Sequence, residues 1–229
     1  MSKWLSPKAA QAIAGSLGFP SKMPGTSYGI PAKECHVGSK LRAIAGTTCH
    51  DCYAFKGRYG IAGSSVEKAH AVRFASLADP RWAHAMASAL LHAHGQIGRK
   101  RVHRKIKPGG AGWHRWHDSG DVQSLAHLCN IVVVAQMTPK IKHWLPTREA
   151  ALIARFLKGG GEFPENLVVR VSATMIDGAP SKAFPNTSTV HAREEAQGHS
   201  CPAPLQGGVC GSCRACWDPM VGNTSYHIH

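Results

Sequence analysis

The sequence predicts an α/β protein: a partial (β/α) barrel of parallel strands with a cysteine-rich, metal-binding C-terminal tail. Three observations lead there. Short apolar runs alternate with segments of helical period through the middle of the chain, the order that builds parallel sheets. Polar residues recur where each of three strand-like runs hands over to a loop. Seven of the eight cysteines fall into two groups, Cys35 to Cys52 and Cys201 to Cys216.

A chain of 229 residues with 43% hydrophobic content is long enough to bury one substantial core. No apolar run approaches the length that crosses a bilayer, and the first residues lack the apolar stretch of a signal peptide. The expectation is a cytoplasmic protein with no membrane contact. In that reducing compartment clustered cysteines serve as ligands more readily than as disulfides. The 27 Lys and Arg against 13 Asp and Glu leave a net charge of +14, a field that attracts polyanions, with nucleic acid first among them.

Residues 1–34, rich in Ser, Pro, Gly and Lys, read as an N-terminal wrap over the surface with short helical signals near Lys8–Ser16. Residues 35–195 read as the partial barrel, and 196–229 as a tail packed on the same domain. Within the barrel, Ser64 to Glu67 is a capping box, and Val66, Ala69, Val72 and Leu77 give the helix after it an apolar stripe. Asp79-Pro80 stops that helix and starts another, in which Trp82, Ala85, Met86, Ala89, Leu90 and Ala93 keep helical spacing up to Gly95. Residues 99–107 carry six cations in nine positions: Arg99, Lys100, Arg101, Arg104, Lys105 and Lys107. They read as a solvated helix end or exposed strand, or as a patch that contacts phosphates.

Trp113–His117 is the first strand expected, followed by a helix with Leu125, Leu128, Cys129, Val132 and Val133 on one face. Cys129 lies in that stripe and reads as a buried thiol. Ile141–Leu145 is the next strand, and the helix after Thr147 stops at Gly159–Gly161. Leu167–Val171 and Ser188–His191 complete the set. The strand ends carry His117, Asp118, Ser119 and Asp121, then Thr147, Arg148 and Glu149, then Ser172 and Thr174. In parallel β/α proteins such ends share one face and build the site. Asp118, Asp121, Arg148 and Glu149 are therefore the candidate catalytic residues. Ser119, Ser172 and Thr174, with Tyr53 beside the first cysteine group, are candidate cofactor contacts.

The tail places Cys201, Cys210, Cys213 and Cys216 within sixteen positions, three of them in direct C-x2-C-x2-C succession. That succession suits the separate iron corners of a cubane better than one tetrahedral ion. Zinc is the alternative metal, and a disulfide tail is the remaining reading. Cys35, Cys49 and Cys52 supply three ligands near the other end. The fourth position is filled by His36, His50 or Asp51, or stays open for a small molecule as catalytic sites require.

Cys49-x-x-Cys52-Tyr53-Ala54, Trp116 to Asp121, Trp144 to Glu149 and Cys210-x-x-Cys213-Arg214-x-Cys216-Trp217 together resemble the phage gene product 88 domain family, over about residues 25–229. The C-x-x-C-Tyr-Ala element is also similar to that of phage-associated proteins distantly related to radical S-adenosylmethionine enzymes. The resemblance implies a cluster on Cys35, Cys49 and Cys52 at the mouth of the barrel, with an iron open to S-adenosylmethionine. The spacing departs from the familiar C-x3-C-x2-C loop: the first gap is thirteen, and the aromatic Tyr53 follows the last cysteine. The leading expectation is an enzyme of phage or mobile-element origin with two 4Fe-4S clusters, acting on a nucleic acid or nucleotide with the help of an electron donor. A zinc- or cluster-stabilised nucleic-acid-binding protein and a metal-dependent nuclease on Asp118, Asp121 and Glu149 are its rivals.

Overall fold

A computed structural model describes residues 4–193 and 195–228, without the side chain of Arg58. Helix α1 (Pro7–Ala14) and strand β1 (Thr26–Tyr28) are followed by α2 (His36–Leu41), α3 (Gly57–Gly60), α4 (Ser65–Ser76) and α5 (Trp82–Ala93). Next come β2 (Trp113–Trp116), α6 (Leu125–Met137), β3 (Lys142–Thr147), α7 (Ala150–Lys158) and β4 (Leu167–Ile176). The chain continues through β5 (Thr187–His191), β6 (His199–Ser200) and β7 (Asn223–His227). The strands form one sheet in the order β1-β2-β3-β4-β5-β7-β6, and every neighbouring pair is parallel. Among the strands β1 pairs only with β2 and β6 only with β7, so the sheet is not closed, and the outer side of β1 carries a single bridge from Ser27 to Gly18.

Strands laid side by side in chain order need crossovers of one hand, and these put the helices on a single face. Helix α1 packs on α5, α5 on α6 and α6 on α7. Side-chain hydroxyls start three of the helices: Ser6 accepts from Ala9 N, Ser64 from Glu67 N and Ser124 from His127 N. Under this layer Tyr28, Trp82, Trp116, Leu128, Ile131, Leu145 and Ile153 are buried in one cluster. Each such side chain contributes about 1.5–3 kcal/mol. The opposite face presents Trp113, Arg115, Trp144 and Arg170, and the C-terminal tail covers part of it. Trp217 of the tail sets its ring edge-on to Trp113 and Trp144, with centroids 5.6 and 5.1 Å away.

The parallel sheet and its expected strands are present, with corrections at both ends. The N-terminal stretch is not only a surface wrap, because Thr26, Ser27 and Tyr28 are buried and form the first strand. Three residues are too few to show an alternating pattern. They seat against β2 because Gly25 has φ +74°, and a Cβ there would stand 1.8 Å from the Trp113 carbonyl oxygen. The tail likewise adds β6 and β7 to the sheet.

Two expected stripes point differently. Helix α4 buries His70 and Arg73, while Val72 is exposed. Arg73 donates to the carbonyls of Ser16 and Gly29, so a polar side chain anchors this helix beside a partly buried apolar edge, where Phe74 and Leu77 pack on the core. In α6 the buried set is His127, Leu128, Ile131, Val132, Val134 and Ala135, and Cys129 is exposed. That helix is apolar almost all round, so spacing alone did not choose the face that meets the sheet.

Candidate functional site

The loop between β1 and α4 carries the first three cysteines across the carboxyl ends of the strands. Cys35 stands just before α2, and Cys52 just before the 3-10 turn Tyr53–Phe55. The point where a Cβ on Gly38 would sit lies 3.6 Å from both the Cys35 and Cys49 sulfurs and 3.0 Å from the Cys35 Cβ, so the glycine lets α2 back closely onto the pair. Two side chains and one backbone carbonyl from the strand ends fasten this loop. Glu149 Oε1 accepts from Val37 N at 2.9 Å. Arg148 Nε donates to Thr48 Oγ1 at 3.0 Å, and Thr48 N donates to the Thr174 carbonyl at 2.9 Å. Asp121 then positions Arg148: its Oδ2 accepts from Arg148 N at 2.8 Å, and its Oδ1 accepts from Thr147 Oγ1 at 2.6 Å and Val122 N at 2.7 Å.

Burial governs the protonation of this group. It pushes the Cys35 thiol up, and the nearby charges of Asp121, Cys52 and Cys49 act in the same direction. Burial also raises Cys49, opposed by Arg148. Asp121 is held up at about 6 by burial, against three hydrogen bonds that favour its charge.

The tail thiols are placed from the opposite side. Cys201 N donates to the Ser225 carbonyl at 2.8 Å, Cys210 N to the Lys22 carbonyl at 2.9 Å, and Cys213 N to the Cys210 carbonyl at 3.0 Å. Cys216 Sγ lies 3.3 Å from the Tyr226 hydroxyl, and Cys213 Sγ 3.5 Å from His199 Nε2. Burial pushes the Cys216 thiol up to about 12. Cys201 and Cys213 both add to the upward shift of Cys210, whose main cause is burial. All eight cysteines are free thiols. No group of three or more His, Cys, Asp or Glu among the described residues is arranged to hold a metal ion. Neither set closes on one ion among the described residues.

A model of the gene product 88 family matches residues 3–219. The chain belongs to that family. The match takes in both thiol sets and the sheet up to the turn that carries Trp217. No curated protein and no solved structure matches the chain.

In this gene product 88 chain the strand-end residues divide into separate groups. Asp121, Arg148 and Glu149 meet the first thiol set. Asp118 stands apart: Tyr59 OH donates to its Oδ2 at 3.0 Å, Tyr53 OH donates to its carbonyl, and its Oδ1 is buried without a partner. Ser119 Oγ is also buried without a partner. Ser172 Oγ pairs with Ser188 Oγ at 2.9 Å, and Thr174 offers Thr48 a carbonyl. In the basic stretch residues 99–105 and Lys107 are exposed and Ile106 is buried.

Sequence reasoning missed Thr48, Tyr59, Arg115, Arg170 and Tyr226. Arg170 is fully buried, and its guanidinium donates to five carbonyls, those of Ala215, Cys216, Asp218, Thr187 and Gly222. An arginine inside a run of valines was the available signal, since a cation in a buried strand needs partners. No helix is long and apolar enough to cross a membrane among the described residues.

Proposed function

We propose that this chain is an iron–sulfur protein that acts as a radical S-adenosylmethionine-like enzyme on a nucleotide or nucleic acid. One observation carries the reading. Three thiols separated by thirteen and by two residues are gathered at the carboxyl ends of a parallel sheet, where β/α proteins build their sites. Their chemistry fits an iron–sulfur centre: free, half-buried or buried thiols in unequal sets of three and four. When bound, a cubane on three thiolates supplies one-electron chemistry and an iron open to S-adenosylmethionine.

The chain's own residues have separable tasks in this reading. Cys35, Cys49 and Cys52 hold the reactive centre, and Arg148 beside them offsets thiolate charge. Asp121 and Glu149 are positioning residues, because their carboxylates are taken up by Arg148, Thr147 and the start of α2. Asp118, with Tyr53 and Tyr59 around it, lies toward the substrate side. Cys201, Cys210, Cys213 and Cys216 hold an auxiliary or structural centre. Exposed cations from Arg99 to Lys107 favour polyanionic substrates.

Metal analysis of protein purified without oxygen tests the reading. We expect about eight irons, taking four per cubane, and matching acid-labile sulfide. Cys213→Ala should lose about half the iron. S-adenosylmethionine added to the reduced protein should perturb one paramagnetic signal and yield 5′-deoxyadenosine, and Cys52→Ala should abolish both effects. Stoichiometric zinc without iron or sulfide overturns the proposal and leaves a zinc-stabilised nucleic-acid-binding protein.

A further inference from the structure

Two arginines point from the sheet toward the tail, and they differ in one respect. Arg170 spends its guanidinium on five backbone carbonyls. Arg115, in register with Trp144 on β3, does not. Its Nη1 meets only the Met23 sulfur at 3.2 Å, a weak acceptor. Its Nη2 reaches the Tyr53 hydroxyl at 3.4 Å, a long contact to a group whose own proton goes to the Asp118 carbonyl. Its Nε is buried without a partner. Among the described residues the ion pairs are Lys56–Asp51 and Arg81–Asp79, so no carboxylate touches Arg115, and the charge of Asp118 reaches it only from farther off.

A guanidinium partly withdrawn from water, with Nε sealed and unspent, is costly unless an anion completes the fork. The fork is also held in place: its carbon lies 4.7 Å from the Trp144 ring centroid. Arg115 is half-buried and Tyr53 beside it is 50% exposed, so the side chain borders solvent at its Nη end. We infer that Arg115 is the anchor of an oxyanion site, and that its ligand is a phosphate group taken by the planar fork through two donors. The residue lies between the two thiol sets. It touches Tyr53, the neighbour of Cys52, and its charge opposes the burial-driven rise of the Cys210 thiol. Phosphate bound there would be held beside the first thiol set. That this phosphate belongs to the substrate rests on the reading above; the anion site itself does not.

The test measures binding of inorganic phosphate, adenosine monophosphate, a 5′-phosphorylated single-stranded oligonucleotide and acetate by calorimetry, with iron content determined on the same samples. Phosphate or a phosphate ester should bind, and Arg115→Gln should weaken it about 10–100-fold, the range for charge-assisted bonds. Arg115→Lys should recover only part, since an ammonium gives a point charge in place of a fork. The strongest of the three phosphate arms identifies the source. In the unaltered protein, phosphate should protect Arg115 from phenylglyoxal, read by peptide mass, which covers the case of an unfolded variant. Equal affinity in Arg115→Gln, absence of protection, or binding of acetate alone overturns the inference. Phosphate binding through Arg115 in iron-free, zinc-containing protein would keep this site and remove the iron–sulfur reading. Full iron with no role for Arg115 would do the reverse.

Discussion

Replacing Arg170 by methionine tests how the tail is held on the sheet. The side chain is fully buried, and its three shortest bonds, 2.8, 2.8 and 3.0 Å, end on Ala215, Asp218 and Cys216. The other two, at 3.2 and 3.4 Å, end on Thr187 and Gly222 beside β5 and β7. Swapping a buried ion pair for apolar groups is often neutral, because both charges leave together. Here the acceptors are backbone carbonyls and cannot leave. Methionine fills much of the volume and takes a charged donor from five oxygens. Those of Ala215, Asp218 and Gly222 keep the backbone N–H groups of Asp218, Val221 and Thr187, so up to two are orphaned, at about 1–3 kcal/mol for each that stays buried. Partial lifting of the turn lets water reach them, so the net loss should be about 2–4 kcal/mol, against a total stability of about 5–15 kcal/mol. For a chain of this size that lowers the melting temperature by about 4–16 °C. Circular dichroism melts give the magnitude, and limited proteolysis gives the place, with the first new cuts between residues 201 and 218. Trp217 keeps its bond to the His114 carbonyl at 2.8 Å, so the loosening should stay local and spare the first thiol set. A melt within about 1 °C of the parent, with the tail equally protected, would refute the argument.

The core histidines make stability fall in acid. Burial lowers His94 and His127 to about 4 and His143 to about 3, each below the unfolded value of about 6.5. Their contribution is complete above pH 6.5 and is lost as the pH falls toward 4, at about 2 kcal/mol for each by pH 5. Asp121, held up at about 6, works in the opposite sense and returns only about 1 kcal/mol over that range. Urea midpoints should therefore drop sharply between pH 7 and 5, and equal midpoints would show these rings to be hydrated. Gly25→Ala should cost about 3 kcal/mol or more, because its Cβ would stand 1.8 Å from the Trp113 oxygen at a φ of +74°. A thermal melt checks this, and a loss below about 1 kcal/mol would mean that β1 shifts freely on β2.

The helix–strand alternation from Trp113 to Val171 was legible because those strands bury apolar residues beneath helices that keep a clear period. β1 was not, since three residues between glycines carry no period. β7 was hidden for another reason: Thr224 and Ser225 are buried polar residues, and Ser225 gains its partners only across the sheet, from Thr189 and His191. In α4 the buried faces of His70 and Arg73 look like a solvated side, and only the carbonyls of Ser16 and Gly29 make Arg73 an interior residue. The cysteine groups stood out by spacing alone, and the strand-end position of Asp121, Arg148 and Glu149 brought them to the first group. Arg170 was missed because its meaning depends on a tail that folds back from far along the chain, and Arg115 because its neighbours Met23 and Tyr53 come from distant loops.

The two thiol sets are attached to the sheet by different kinds of bond. The first hangs on β4 by two backbone bonds, Thr48 N to the Thr174 carbonyl and Ile176 N to the Gly46 carbonyl, and otherwise on side chains: Glu149 holds the start of α2, and Asp121 holds Arg148, which holds Thr48. The ties through Glu149 and Arg148 can each be cut by one substitution outside the strands, so the start of α2 can adjust while the strands stay fixed. The second set hangs on backbone carbonyls gathered by one guanidinium, and on an indole wedged between two others. That attachment is buried, and loosening it withdraws one donor from five carbonyls at once. A reactive centre needs a loop whose position can respond to a ligand, and a supporting centre needs a fixed one. In the function proposed above, that difference in fastening, with three thiols against four, is the reason chemistry is given to Cys35, Cys49 and Cys52 and support to the tail.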